Sequence, residues 1–97
     1  MATCQITVFA DSSALAIGSP IQELAVTIGA VSTQSAALTG SKQELRKVRI
    51  MCDTNAWVEW GDNPTATTDG TSGRMFGAEN PEYVGIRSGQ IIAVIAR

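Results

Sequence analysis

The chain contains no histidine, which removes the commonest general base and the commonest metal ligand together. A Ser-His-Asp or Cys-His nucleophilic arrangement therefore cannot be built within one chain. Cys4 and Cys52 are its only cysteines, far apart and without the paired spacing of a zinc site. Gly61, Gly85 and Gly89 fall singly among strand residues and make no phosphate-cradling loop. The carboxylates Asp53, Glu59, Asp62, Asp69, Glu79 and Glu82 could in principle supply the acid and base of glycoside hydrolysis. Such sites are lined by several aromatic rings, and the whole chain holds two Trp, one Tyr and two Phe. Asp62, Asn63 and Asp69 could offer oxygens to calcium. Their spacing matches no calcium loop, and Asp and Asn in turns bond their own backbone. The expectation is a protein that is not an enzyme, with no catalytic residue, no cofactor and no bound metal.

What remains is recognition by surface. Trp57 and Trp60 stand three apart, and in one regular strand residues three apart point to opposite faces. Trp60 is in phase with Ala56 and Val58, and Trp57 with Glu59, so Trp60 is expected toward the core and Trp57 outward. An outward Trp is a common interface anchor; the alternative is a ring lying flat on its own sheet beside Tyr83. Lys42, Arg46, Lys47 and Arg49 form the densest basic cluster, but Lys47 and Arg49 would share one strand face and Arg46 the other. With a net charge of −2 and few rings to stack bases, no nucleic-acid partner is expected.

The composition is globular, with 44% hydrophobic and 16% charged residues. Soluble chains average about 25% charged residues, so this surface is lean in charge, as a surface covered by a partner would be. A 97-residue chain is expected to form a single domain, residues 1–97. A chain this size buries only about 60–65% of its unfolded surface, and assembly would supplement its stability. The longest apolar run, 91–96, is far short of the roughly 20 residues that span a bilayer. No basic segment precedes an apolar one at the start, so synthesis and folding in the cytoplasm, without a membrane partner, are expected. Cys4 is in phase with Ile6 and Val8, and Cys52 with Val48 and Ile50. Both are expected to be buried, reduced thiols acting as small hydrophobes.

The elements that must position these residues are strands. Residues 3–9 alternate polar and apolar; 21–28, 31–38, 48–52, 56–60, 81–87 and 90–95 also read as strands, separated by Gly, Asn and Pro. Ser41 and Glu44 suggest a capping box, but alternation resumes at Val48, so one helical turn is the most that segment makes. About seven or eight strands at roughly 8–12-residue spacing indicate an all-β fold. A single antiparallel β-sandwich, jelly-roll-like, follows, with Ile6, Val8, Val26, Ile28, Val48, Ile50, Cys52, Val58, Trp60, Val84, Ile86, Ile92 and Val94 as its core.

Several stretches resemble small β-sandwich structural proteins of tailed-bacteriophage virions, of the decoration or cement type. They are Ala25-Val26-Thr27-Ile28-Gly29 with Ser35-Ala36-Ala37-Leu38, the Gly61-Asp62-Asn63-Pro64-Thr65-Ala66-Thr67 loop, Met75-Phe76, Pro81-Glu82-Tyr83, and Gly89-Gln90-Ile91-Ile92-Ala93-Val94-Ile95. The resemblance implies a homotrimer on the capsid surface of the virion that stabilises the head by bridging subunits of the major capsid protein. A tail, neck or fibre component is the nearest alternative. The two tryptophans before the Asn-Pro loop depart from that pattern. Trp57, Arg74 and Tyr83 are the expected interface residues. A second class stays open: a carbohydrate-binding sandwich in which Trp57, Trp60 and Tyr83 cluster as stacking rings.

Overall fold

The computed structural model describes residues 2–9, 20–40, 45–68 and 74–97. These residues form strands and no helix, in two antiparallel sheets of four strands each. The strands are β1 (Thr3–Phe9), β2 (Pro20–Thr27), β3 (Thr33–Gln34), β4 (Leu45–Cys52), β5 (Ala56–Gly61), β6 (Arg74–Phe76), β7 (Glu82–Arg87) and β8 (Ile91–Ala96). The first sheet runs β2-β1-β4-β7 and the second β3-β8-β5-β6.

The alternation read from the sequence decides which side of each strand is buried. Cys4, Ile6 and Val8 lie opposite Cys52, Ile50 and Val48 across β1 and β4, and all six are fully buried. Ala56, Val58, Phe76, Ile92 and Val94 answer them from the second sheet, in one cluster with Val26, Ile28, Leu38 and Ile86. Trp60 and Val84 pack against its rim. Every core residue expected from periodicity is in or against this cluster. Phe76 and Leu38 were not expected there. Phe76 sits in a strand of only three residues, too short for a period-two pattern, and reaches the core because β6 pairs with Ala56 of β5.

One expectation is corrected, one falls partly outside the described residues, and one is met. The strand expected over 31–38 shrinks to Thr33–Gln34. The segment still follows β8, but the Ser35 hydroxyl accepts the Ile92 N–H at 3.1 Å, where a ladder would use a backbone carbonyl. A side chain that intercepts a backbone donor in this way ends regular pairing. The candidate helical turn has residues 41–44 outside the described set, while Leu45 and Arg46 belong to β4. The expected turn at Ser88-Gly89 is present: the Gln90 N–H donates to the Arg87 carbonyl at 3.2 Å, with Gly89 at φ 86°. That positive φ at the third turn position is the type II requirement for glycine.

Candidate interaction surfaces

On the outer face of the first sheet the open part lies on β4 and β7, while Thr7 and Phe9 of β1 also point outward but are buried. Because Val48 and Ile50 point inward, Leu45, Lys47 and Arg49 point outward, opposite Arg87, Gly85 and Tyr83 respectively. Lys47 and Arg49 thus share a face, as alternation requires. Tyr83 and Leu45 are each 49% exposed. The Lys47 ammonium lies 5.9 Å from the Tyr83 ring centroid, within reach of a cation–π attraction. On its other side Lys47 faces Phe9 of β1, whose ring is tilted against Tyr83 at a centroid distance of 6.5 Å. Gly85 leaves a gap in this surface. A groove of about 170 Å³ runs there between Leu45, Lys47 and Tyr83, and a β-carbon at Gly85 would stand 3.1 Å from Leu45 Cδ1. The groove exists because one strand position carries no side chain.

The outer face of the second sheet is organised differently. Trp57 points outward, opposite Met75 on β6 and Ile95 on β8, and all three are half-buried. Next along β8, Ala93 also points outward, opposite Glu59 and Gln34, yet it is fully buried. Segment 62–68 accounts for this. It leaves β5 and reaches β3, and so must pass β8, which lies between them. The Gln34 side-chain amide donates to Asn63 Oδ1 at 3.0 Å and to the Pro64 carbonyl at 2.8 Å, and the Ala66 N–H donates to Ser32 Oγ at 2.9 Å. Pro64 and Ala66 are buried as a result. The chain roofs its own sheet here.

Arg74 lies between these two faces. It stands opposite Val58, on the inward side of the edge strand β6, and its guanidinium reaches Glu82 of β7 at 3.8 Å. The pair bridges the two sheets along one open edge. With side chains 56% and 35% exposed, it contributes little stability. A cleft of about 460 Å³ beside it is lined by Val58, Glu59, Trp60 and Arg74.

The three residues singled out from the sequence are therefore not brought together. Trp57 and Tyr83 lie on opposite outer faces, so Trp57 does not lie beside Tyr83, and Arg74 sits on the edge between them. Trp57, Trp60 and Tyr83 do not cluster either, because Trp60 turns inward to the core rim; the arrangement that sugar stacking requires is absent. Of the proposed calcium oxygens, Asn63 Oδ1 is engaged by Gln34, and Asp69 lies outside the described residues. Among the described residues no group of three His, Cys, Asp or Glu is placed to hold a metal, and no helix is long and apolar enough to cross a membrane. Sequence reasoning missed Leu45 and Gly85 as parts of a surface, and Phe9 as the buried ring that packs against Tyr83. Phe9 read as the end of a strand and Gly85 as punctuation, and only strand order brings them beside Tyr83.

The two thiols form the one close pairing of reactive side chains among the described residues. Cys4 and Cys52 are free and fully buried, with their sulfur atoms 3.0 Å apart. Contact with the Cys52 sulfur, and then burial, hold the Cys4 proton well above the ordinary thiol range. The same contact draws Cys52 below it, against burial and the nearby Asp53 carboxylate.

No protein-family model matches the chain, and no curated protein and no solved structure matches it either.

Proposed function

We propose that the protein is a non-enzymatic structural component of a tailed-phage virion, a capsid decoration or cement protein that bridges major capsid subunits. The virion part rests on the resemblance carried by the stretches quoted above. The assembly part rests on one observation: the outer face of β4 and β7 presents Tyr83 and Leu45, each 49% exposed, around the groove at Gly85. A half-exposed ring beside a groove lined by Leu45, Val84 and the basic Arg46 and Lys47 combines the aromatic and basic groups common at interfaces. A jelly-roll arrangement is the finer reading of the fold. It is supported by the strand orders β2-β1-β4-β7 and β3-β8-β5-β6, in which most successive strands change sheet. A homotrimer would cover edges that a small open sandwich otherwise exposes.

In this reading the protein stabilises the head by mass action, because a ligand that binds only the assembled shell lowers the free energy of that shell. Tyr83 is the principal anchor, with Arg74 at the neighbouring edge. Trp57 serves a contact only where its half-buried ring extends past Met75 and Ile95. The test is particle binding and heat resistance. Tyr83→Ala should weaken binding to particles by about 2 kcal/mol, and particles lacking the protein should release DNA at lower temperature. Unchanged heat resistance in such particles would exclude the clamp and leave a tail, neck or fibre position. Light scattering on the purified chain checks the trimer, and a monomer at high concentration would remove it.

A further inference from the structure

We propose that Cys4 and Cys52 are a modification site, at which an oxidant of the peroxide class converts the buried dithiol into a disulfide tying β1 to β4. Cys4 and Cys52 lie directly opposite each other on adjacent antiparallel strands, although 48 positions separate them in sequence. The Asp53 N–H donates to the Thr3 carbonyl at 3.1 Å, which marks Thr3 and Asp53 as a hydrogen-bonded pair. Pairs alternate along an antiparallel ladder, so Cys4 and Cys52 occupy the neighbouring non-hydrogen-bonded position. There α-carbons stand about 4.5 Å apart and side chains come closest, inside the range of roughly 4.4–6.8 Å that a disulfide spans.

The surroundings hold the pair in place. The Asp53 carboxylate accepts the Thr3 N–H at 2.9 Å, and the Cys52 carbonyl accepts the Glu79 N–H at 2.7 Å. From a separation of 3.0 Å, closure to a bond of about 2.05 Å asks for a movement of roughly 1 Å. Neither sulfur is exposed, which excludes bulky disulfide reagents from the folded core. A peroxide is small enough to reach the pair through transient local opening of the fold.

The chemistry balances with one peroxide. Cys52, the sulfur favoured to ionise first, attacks an oxygen of hydrogen peroxide as a thiolate. The O–O bond breaks, hydroxide leaves and is protonated to water, and Cys52 becomes a sulfenic acid. The Cys4 sulfur then attacks the Cys52 sulfur and gives up its proton, and the S–O bond breaks with release of a second water. Two thiols lose two electrons in total, and one peroxide becomes two waters. A reducing cytosol keeps such a pair open, and exposure to oxidant outside it closes the pair. The closed form removes loop entropy from the unfolded chain over those 48 positions.

The test uses the purified full chain, fully reduced, exposed to hydrogen peroxide and then alkylated in denaturant. The expected product is a monomer lighter by two hydrogens, resistant to alkylation, that yields one peptide linking Cys4 to Cys52. Its Tm should rise by about 10 °C or more and fall back on treatment with dithiothreitol. Cys4→Ala and Cys52→Ala should show no peroxide-dependent rise in Tm. Persistence of both alkylatable thiols under peroxide that oxidises a free cysteine derivative would overturn the proposal. So would oxygen addition at the cysteines, thiol-linked dimers, or an equal Tm rise in the alanine variants.

Discussion

The two sheets differ in how much of their outer faces they leave open. The second sheet covers its own: segment 62–68 is drawn across β8 by Gln34 and Ser32, and Ala93 vanishes from the surface although it points away from the core. The first sheet buries the outward Thr7 and Phe9 of β1 but leaves Tyr83 and Leu45 open around Gly85. Both faces carry an aromatic residue in phase with outward neighbours, and both look alike in a list of alternating residues. The lesson is that outward is not the same as exposed. An aromatic ring on a covered face stabilises the fold, and one on an open face is available to a partner.

The comparison can be broken most directly at Ala93. Ala93→Asp would put a carboxylate beneath segment 62–68 and should cost about 3 kcal/mol or more in chemical denaturation. A cost below about 0.5 kcal/mol would mean that the face is open after all. Trp57→Ala removes a half-buried ring lying between Met75 and Ile95, and a loss of about 2 kcal/mol in folding stability is expected. The inner faces differ as well, since only the first sheet places two thiols in contact. Well above the ordinary thiol pKa of about 8.5 the unfolded chain has lost both thiol protons, whereas the folded chain still holds that of Cys4. The folded state then binds more protons than the unfolded one, so stability must fall as pH rises. The slope is at most about 1.4 kcal/mol per pH unit, and titrating denaturation midpoints above about pH 9 measures it. Cys4→Ala should flatten that slope. Gln34→Ala deletes two hydrogen bonds to 62–68 and should lower stability by about 1 kcal/mol, with faster amide exchange at Ala66. Comparably small, Tyr83→Ala gives up its Phe9 and Lys47 contacts and should cost folding about 1 kcal/mol or less, while carrying the largest effect on particle binding. The reverse order for Trp57 and Tyr83 would overturn the assignment of covered and open faces.

Much of this was legible in the residues. Alternation in 3–9, 48–52 and 56–60 determines which side chains turn inward, because successive residues in a strand point to opposite faces whatever the neighbours are. The inward set Ile6, Val8, Val48, Ile50 and Val58, the inward turn of Trp60, the outward turn of Trp57 and the Ser88-Gly89 turn all follow from that local geometry. The absence of histidine limits the available chemistry just as locally. Only the tertiary structure decided what lies over each face and which strand lies beside which. Phe9, Lys47 and Tyr83 meet because β1, β4 and β7 are adjacent. Trp57 and Tyr83 part because β5 and β7 belong to different sheets, and Cys4 meets Cys52 because β1 pairs with β4 in one register. The same holds for Ala93, whose burial depends on a segment about thirty positions earlier in the chain folding back along β3. Strand period is a property of neighbouring residues, but pairing and cover come from contacts across loops whose closing entropy depends on the whole chain, and no short window of sequence contains them.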